Sequence, residues 1–126
     1  MKISTLIFGL FILGLSGISW AEPVYLKCST SNPEQDFTER FTLKINERTG
    51  KITHSRSDGS AFIANGFFSA DKISYKGKRL RTTFHYTIDR SNLKIRELMD
   101  TTIGTKHFKN ERNGRCSIVE MKNRKI

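Results

Sequence analysis

Apolar residues recur at every second position over two stretches of this chain. Phe41, Leu43 and Ile45 alternate with Thr42, Lys44 and Asn46, while Leu80, Thr82, Phe84, Tyr86 and Ile88 alternate with Arg81, Thr83, His85, Thr87 and Asp89. A period of two sends one set to each face of an extended strand, so both stretches read as half-buried β-strands. Shorter strand candidates are Tyr25 to Ser29, Lys51 to Ser55, Ala61 to Ala64, Lys72 to Tyr75, Leu93 to Leu98 and Cys116 to Glu120. Turn chemistry separates nearly all of them: Arg48-Thr49-Gly50, Ser57-Asp58-Gly59, Lys76-Gly77-Lys78, Asp89-Arg90-Ser91-Asn92 and Asn113-Gly114. A helical pattern is not sustained anywhere past the first residues, although Asp36 to Arg40 is compatible with one turn. About seven or eight short, hairpin-connected strands predict an all-β fold, a small antiparallel β-sandwich or β-barrel.

One internal echo supports hairpins. The run from Phe41 to Ile52 aligns without gaps with the run from Phe84 to Ile95, and each copy is a strand, an Asx-started turn and a return strand. Asn46 and Asp89 open the two turns, where a short polar side chain bonds backbone amides. That role needs no chemistry beyond folding.

The first 21 residues carry an address. Lys2 precedes the apolar run from Leu6 to Leu15, and small residues Ser19 and Ala21 flank Trp20, the pattern of a secretory signal peptide cut after Ala21. Ser16, Gly17 and Ser19 interrupt the run before it reaches the ~20 apolar residues of a membrane span. The reading divides the chain into a leader (1–21), one β-domain (22–120) and a basic tail (121–126) containing Lys122-Asn123-Arg124-Lys125. The mature chain of about 105 residues is then exported, periplasmic or extracellular, with room for a single core. Both cysteines survive the cut into a compartment that permits oxidation, one near each end, so a Cys28–Cys116 disulfide is expected. Neither has a second cysteine or a histidine within a few residues, as a metal or redox motif requires.

Three short motifs now stand together: the opening Tyr25-Leu26-Lys27-Cys28, the turn Ile88-Asp89-Arg90 and the closing Gly114-Arg115-Cys116 with a basic end behind it. In these the chain resembles a loose group of small exported bacterial proteins of unknown function. The resemblance implies an antiparallel β fold and the disulfide, and assigns no activity or binding residues.

Charge supplies the functional reading. The chain holds 22 Lys plus Arg against 12 Asp plus Glu, net +10, and losing Lys2 with the leader leaves +9. Such a balance favours anionic partners, here an anionic envelope component or an acidic protein. Around the second hairpin, a turn at Asp89 to Asn92 pairs Ile88 with Leu93, Tyr86 with Ile95, Phe84 with Glu97, His85 with Arg96 and Arg81 with Asp100. Leu80, Phe84, Tyr86 and Ile88 then face the core, and Arg79, Lys94 and Arg96 form a free basic patch of anion contacts, with His85 beside them. Rings and cations on opposite faces do not make a nucleic-acid stacking platform, which needs both on one face. This pairing also puts Glu97 on the apolar side, where an unpaired carboxylate is costly, so the strand is expected to end or bulge there.

No catalytic constellation emerges. His54, His85 and His107 are widely spaced, and nucleophile-elbow, phosphate-loop, dinucleotide and calcium-loop patterns are absent from the sequence, so no enzyme activity, metal or cofactor is expected. The expected function is a non-catalytic exported binding or structural module with a basic face. One alternative is a lipocalin-like carrier of a small apolar ligand, with Phe62, Phe67, Phe68 and Tyr75 lining the cavity. Another is an envelope-associated inhibitor or interaction protein, although a +9 chain would be repelled by lysozyme-type enzymes that are themselves basic.

Overall fold

The computed structural model describes residues 22–34 and 37–119. The signal peptide and the basic tail expected from the sequence lie outside the described residues, as do Asp36 and Glu120. Nine strands follow in chain order: β1 (Val24–Asn32), β2 (Phe37–Asn46), β3 (Lys51–Arg56), β4 (Ala61–Asn65), β5 (Phe67–Phe68), β6 (Lys72–Arg79), β7 (Thr82–Asp89), β8 (Lys94–Ile103) and β9 (Lys106–Ile118). They form one sheet in the order β4-β3-β2-β1-β9-β8-β7-β6-β5, with every neighbouring pair antiparallel. The sheet curls until its ends nearly meet. β4 and β5 are two halves of one path broken at Gly66; the first half pairs with β3 and the second with β6. Of the two architectures expected, the molecule is barrel-like.

The seam joins the first and last strands. Cys28 and Cys116 sit directly opposite each other on β1 and β9 and are disulfide-bonded, as expected. The bond closes a loop with a sequence separation of 88, which in the chain-entropy account contributes roughly 4 to 5 kcal/mol. Beside it the chain comes close enough that a Cβ on Gly114 would run into the Ser29 carbonyl, so only glycine fits there. Gly77 in β6 is similar: Phe62, reaching across from β4, lays its ring where a side chain would stand. Asn113-Gly114 and Lys76-Gly77-Lys78 are therefore strand interiors rather than the turns expected from their composition.

Four further expectations need correction. Leu80 is 90% exposed at the tip of the β6–β7 hairpin with φ 56°, not part of the core face. The last strand begins at Lys106, well before Cys116, and Phe37 to Arg40 lie in β2 rather than in a helical turn. The β7–β8 register is also shifted by two: Ile88 pairs with Ile95, Tyr86 with Glu97, Phe84 with Met99, His85 with Leu98 and Thr83 with Asp100. The cause is local. The loop residues are Arg90 to Leu93, with Leu93 in the left-handed region (φ 60°) and its amide bonded to the Asp89 carbonyl. The β2–β3 hairpin has the same geometry, with Gly50 at φ 76° bonded to the Asn46 carbonyl, so the sequence echo is a structural one.

Inward side chains form three layers along the barrel. At the end closed by the β2–β3, β5–β6 and β7–β8 loops, Ile45, Ile52, Ile73, Ile88 and Ile95 are all buried. Rings fill the waist: His54 is stacked between Phe41 and Phe62 at centroid distances of 4.3 and 4.8 Å, and Tyr75 stacks on Tyr86 at 4.7 Å. The other end is polar, with Thr30, Glu97 and Arg112 buried.

Candidate functional site

Two surfaces combine charge with shape: the open mouth of the barrel and a groove on its outer wall. The mouth is built on inward positions of β2, β3, β7, β8 and β9. Glu97 lies at its floor, fully buried, and accepts hydrogen bonds from Thr30 Oγ1 (3.0 Å), the Tyr86 hydroxyl (3.1 Å) and Arg112 Nε (3.1 Å). Arg112 reaches on to Glu39 through Nη2 at 2.9 Å, and its guanidinium lies 5.3 Å from the Phe37 ring centre. The strand neither ends nor bulges at Glu97, contrary to expectation, because two hydroxyls and a guanidinium satisfy the carboxylate in place of water. Burial, and then the neighbouring Glu97 charge, raise the Glu39 pKa above the ordinary carboxylate value.

Above this floor opens a cavity of about 540 Å³ lined by Arg40, Arg56, Arg79 and Arg112, by the acids Glu39 and Asp58, by Thr38, Ser57, Thr82 and Thr101, and by Phe37, Phe84 and Met99. Arg56 has no acidic partner among the described residues. Its guanidinium lies 5.1 Å from the Phe62 ring centre and 5.9 Å from that of Phe84, and its Nη2 makes no hydrogen bond. Asp58 is held mainly by the Ser60 amide and hydroxyl, which lower its pKa, and pairs with Arg79 only at 3.8 Å.

The outer groove, about 440 Å³, runs over β3, β2, β1 and β9. Its outward lining is Lys27, Ser29, Arg40, Thr42, Ser55, Ser57, Arg115 and Ser117, without an acid. The strand registers align Arg40 with Ser29, Ser29 with Arg115 and Arg115 with Lys94, giving a lateral row across four neighbouring strands. Arg115 and Lys94 are like charges directly opposed, an arrangement that weakens a sheet unless something offsets it. None of Lys27, Arg40, Lys94 and Arg115 takes part in an ion pair among the described residues.

The three expected anion contacts are not one patch. Arg79 stands at the mouth, paired loosely with Asp58; Arg96 is neutralised by Glu111 at 2.9 Å; only Lys94 belongs to the lateral row. Arg81 does not pair with Asp100, whose partner is His107 at 3.7 Å. The pattern of alternation could have found Arg40 and Arg115, since both are outward by parity, but neither lies in the β7–β8 hairpin from which the basic patch was expected. Phe84 and Tyr86 face the interior and His85 the outside, but the expected separation of rings from cations does not hold at the mouth, where Phe84 shares the cavity with Arg56 and Arg79 and lies 5.9 Å from the Arg56 guanidinium. No protein-family model, curated protein or solved structure matches this chain.

The histidines do not converge. His54 is buried in the waist, hydrogen-bonded through Nδ1 to the Tyr75 hydroxyl at 2.9 Å, and burial, with Arg56 nearby, lowers its pKa to about 3. His85 is exposed on β7 and His107 on β9. No group of three metal-ligating side chains occurs among the described residues. The rings proposed as a cavity lining are dispersed as well: Tyr75 is core, Phe62 covers Gly77, Phe68 packs on the core edge, and Phe67 is 68% exposed.

Proposed function

We infer that this protein is a non-catalytic exported binding module whose outer wall takes an anionic, hydroxyl-rich envelope polymer, such as a glycan carrying phosphate, sulfate or carboxylate groups. The observation that carries the reading is the acid-free groove crossed by Arg40, Ser29 and Arg115, a row that Lys94 continues on the next strand. Cations spaced across adjacent strands meet repeated charges along a chain, and Ser29, Thr42, Ser55 and Ser117 offer hydrogen bonds to its hydroxyls. The disulfide and the absence of a long apolar helix among the described residues are compatible with export. An acidic protein is the rival partner; the hydroxyl-rich lining favours the glycan. A stacking nucleic-acid platform is disfavoured because Phe84 and Tyr86 point inward.

Heparin chromatography tests the reading. Retention should fall steeply as salt rises, as expected for exposed charges over a Debye length of ~8–10 Å. Lys94→Glu with Arg115→Glu should elute at far lower salt, whereas Arg96→Glu should matter less, its charge being spent on Glu111. Salt-insensitive retention, or equal elution of the double variant and the parent, refutes it.

A further inference from the structure

We propose that the mouth of the barrel is a second binding site, adjoining the outer groove at Arg40, Arg56 and Ser57, for a small molecule that carries one anionic group, a carboxylate, sulfonate or phosphate, on an apolar ring or short chain. Its walls divide the work. Four arginines line the cavity against two acids, and both acids are engaged: Glu39 with Arg112 at 2.9 Å, Asp58 with Ser60 and more loosely with Arg79. Arg56 forms no ion pair with a carboxylate, although its charge acts at longer range on Glu39 and Asp58; its Nη1 donates to Ser60 Oγ at 3.4 Å and its Nη2 makes no hydrogen bond. A guanidinium nitrogen with no acceptor among the described protein groups is free to take one from a bound molecule. An anion bound to Arg56 and Arg79 would supply it through charge-assisted hydrogen bonds.

The rest of the lining selects the body of the ligand. Phe84 and Met99 line the cavity below and Phe37, 51% exposed, stands at its edge, so an apolar group can be covered while the anion turns to the arginines. The floor holds its shape because the Glu97 carboxylate is bonded to three strands other than its own, through Thr30, Tyr86 and Arg112. That rigidity keeps Arg112 and Glu39 occupied with each other and leaves Arg56 as the receptor. The mouth and the outer groove share Arg40, Arg56 and Ser57, but Lys94 and Arg115 do not line the mouth, so substituting them tests the outer wall alone.

Titration calorimetry of the mature, oxidised protein with naphthalene-2-sulfonate, inorganic sulfate and 2-naphthol decides the matter. The sulfonate should bind with one-to-one stoichiometry, and sulfate and 2-naphthol about tenfold more weakly or worse, because each supplies only one half of the recognition. Arg56→Gln should weaken the sulfonate by about tenfold, the usual cost of losing a hydrogen bond to a charged group. Arg79→Gln, at an exposed position that does not threaten folding, should weaken it severalfold, and thermal melts will show whether each variant is folded. Lys94→Glu with Arg115→Glu should leave this binding unchanged while lowering the salt at which the protein leaves heparin, so the two sites can fail separately. No saturable sulfonate binding, binding no tighter than that of sulfate, or binding that Arg79→Gln leaves unaltered in a folded protein overturns the proposal.

Discussion

The two ends of the barrel use buried arginine for opposite purposes. At the closed end, Arg90 is a clamp: its guanidinium donates to Glu47 at 2.8 Å and to the Ser69 carbonyl at 2.8 Å, and its amide bonds the Asp71 carbonyl at 2.9 Å, so one residue ties three loops over the isoleucine layer. At the open end, Arg112 faces two carboxylates inside the wall and leaves the space above them empty of side chains. The closed end turns its charge on Glu47 and a loop carbonyl; the open end surrounds a cavity with it. Desolvated charge is expensive at either place, so its arrangement shows where the fold needed closure and where it kept an opening.

Removing the arginines should break this contrast most strongly. Arg112→Ala leaves Glu97 buried with its cation gone and should cost about 3 to 5 kcal/mol in urea unfolding. Arg90→Ala should cost less, about 2 to 3 kcal/mol, because Glu47 keeps partial access to water. A larger loss for Arg90→Ala would mean that closing the loops matters more than satisfying the buried acid.

The waist between the ends should set the acid limit. His54 titrates near its ordinary 6.5 when unfolded and at about 3 when folded, so below pH 6.5 the unfolded chain binds a proton that the folded one refuses. Stability therefore falls as pH drops, by roughly 1.4 kcal/mol per unit, or about 2 kcal/mol by pH 5. Glu39 acts in the opposite sense across the carboxylate range, since its folded pKa is raised. His54→Phe should flatten the slope between pH 6.5 and 5; an unchanged slope would place the acid sensitivity elsewhere.

The smallest contrast is in the turns. Leu80 at the open end and Leu93 at the closed end both hold positive φ, a conformation costing a non-glycine residue of order 1 kcal/mol. Leu80→Gly should stabilise by about that much, its side chain being 90% exposed. Leu93→Gly should gain little or lose, because Leu93 also packs on the core. Thermal denaturation distinguishes the two.

Much of this was legible beforehand. Period-two alternation marks β2 and most of β7, turn residues separate most strands, and two cysteines near the ends of the β-domain point to the bond that closes the seam. The register of the second hairpin was concealed by Leu93, which occupies the left-handed position that Gly50 advertises in the first; laying the echo over both turns would have revealed it. Gly77 and Gly114 misled for a related reason. Glycine serves a turn through its free φ and a strand through its missing Cβ, and the letter is the same in either role.

By itself the sequence determined the strand class, the in-and-out parity of the side chains and the disulfide, because these depend on local periodicity and on which groups exist to react. Only the tertiary structure decided that Glu97 is an interior residue with partners, that Arg40 and Arg115 join Lys94 while Arg79 and Arg96 do not, and that one end stays open. Those outcomes depend on lateral register around a curled sheet, where residues far apart in the chain become neighbours and each strand's offset is set by the turn before it.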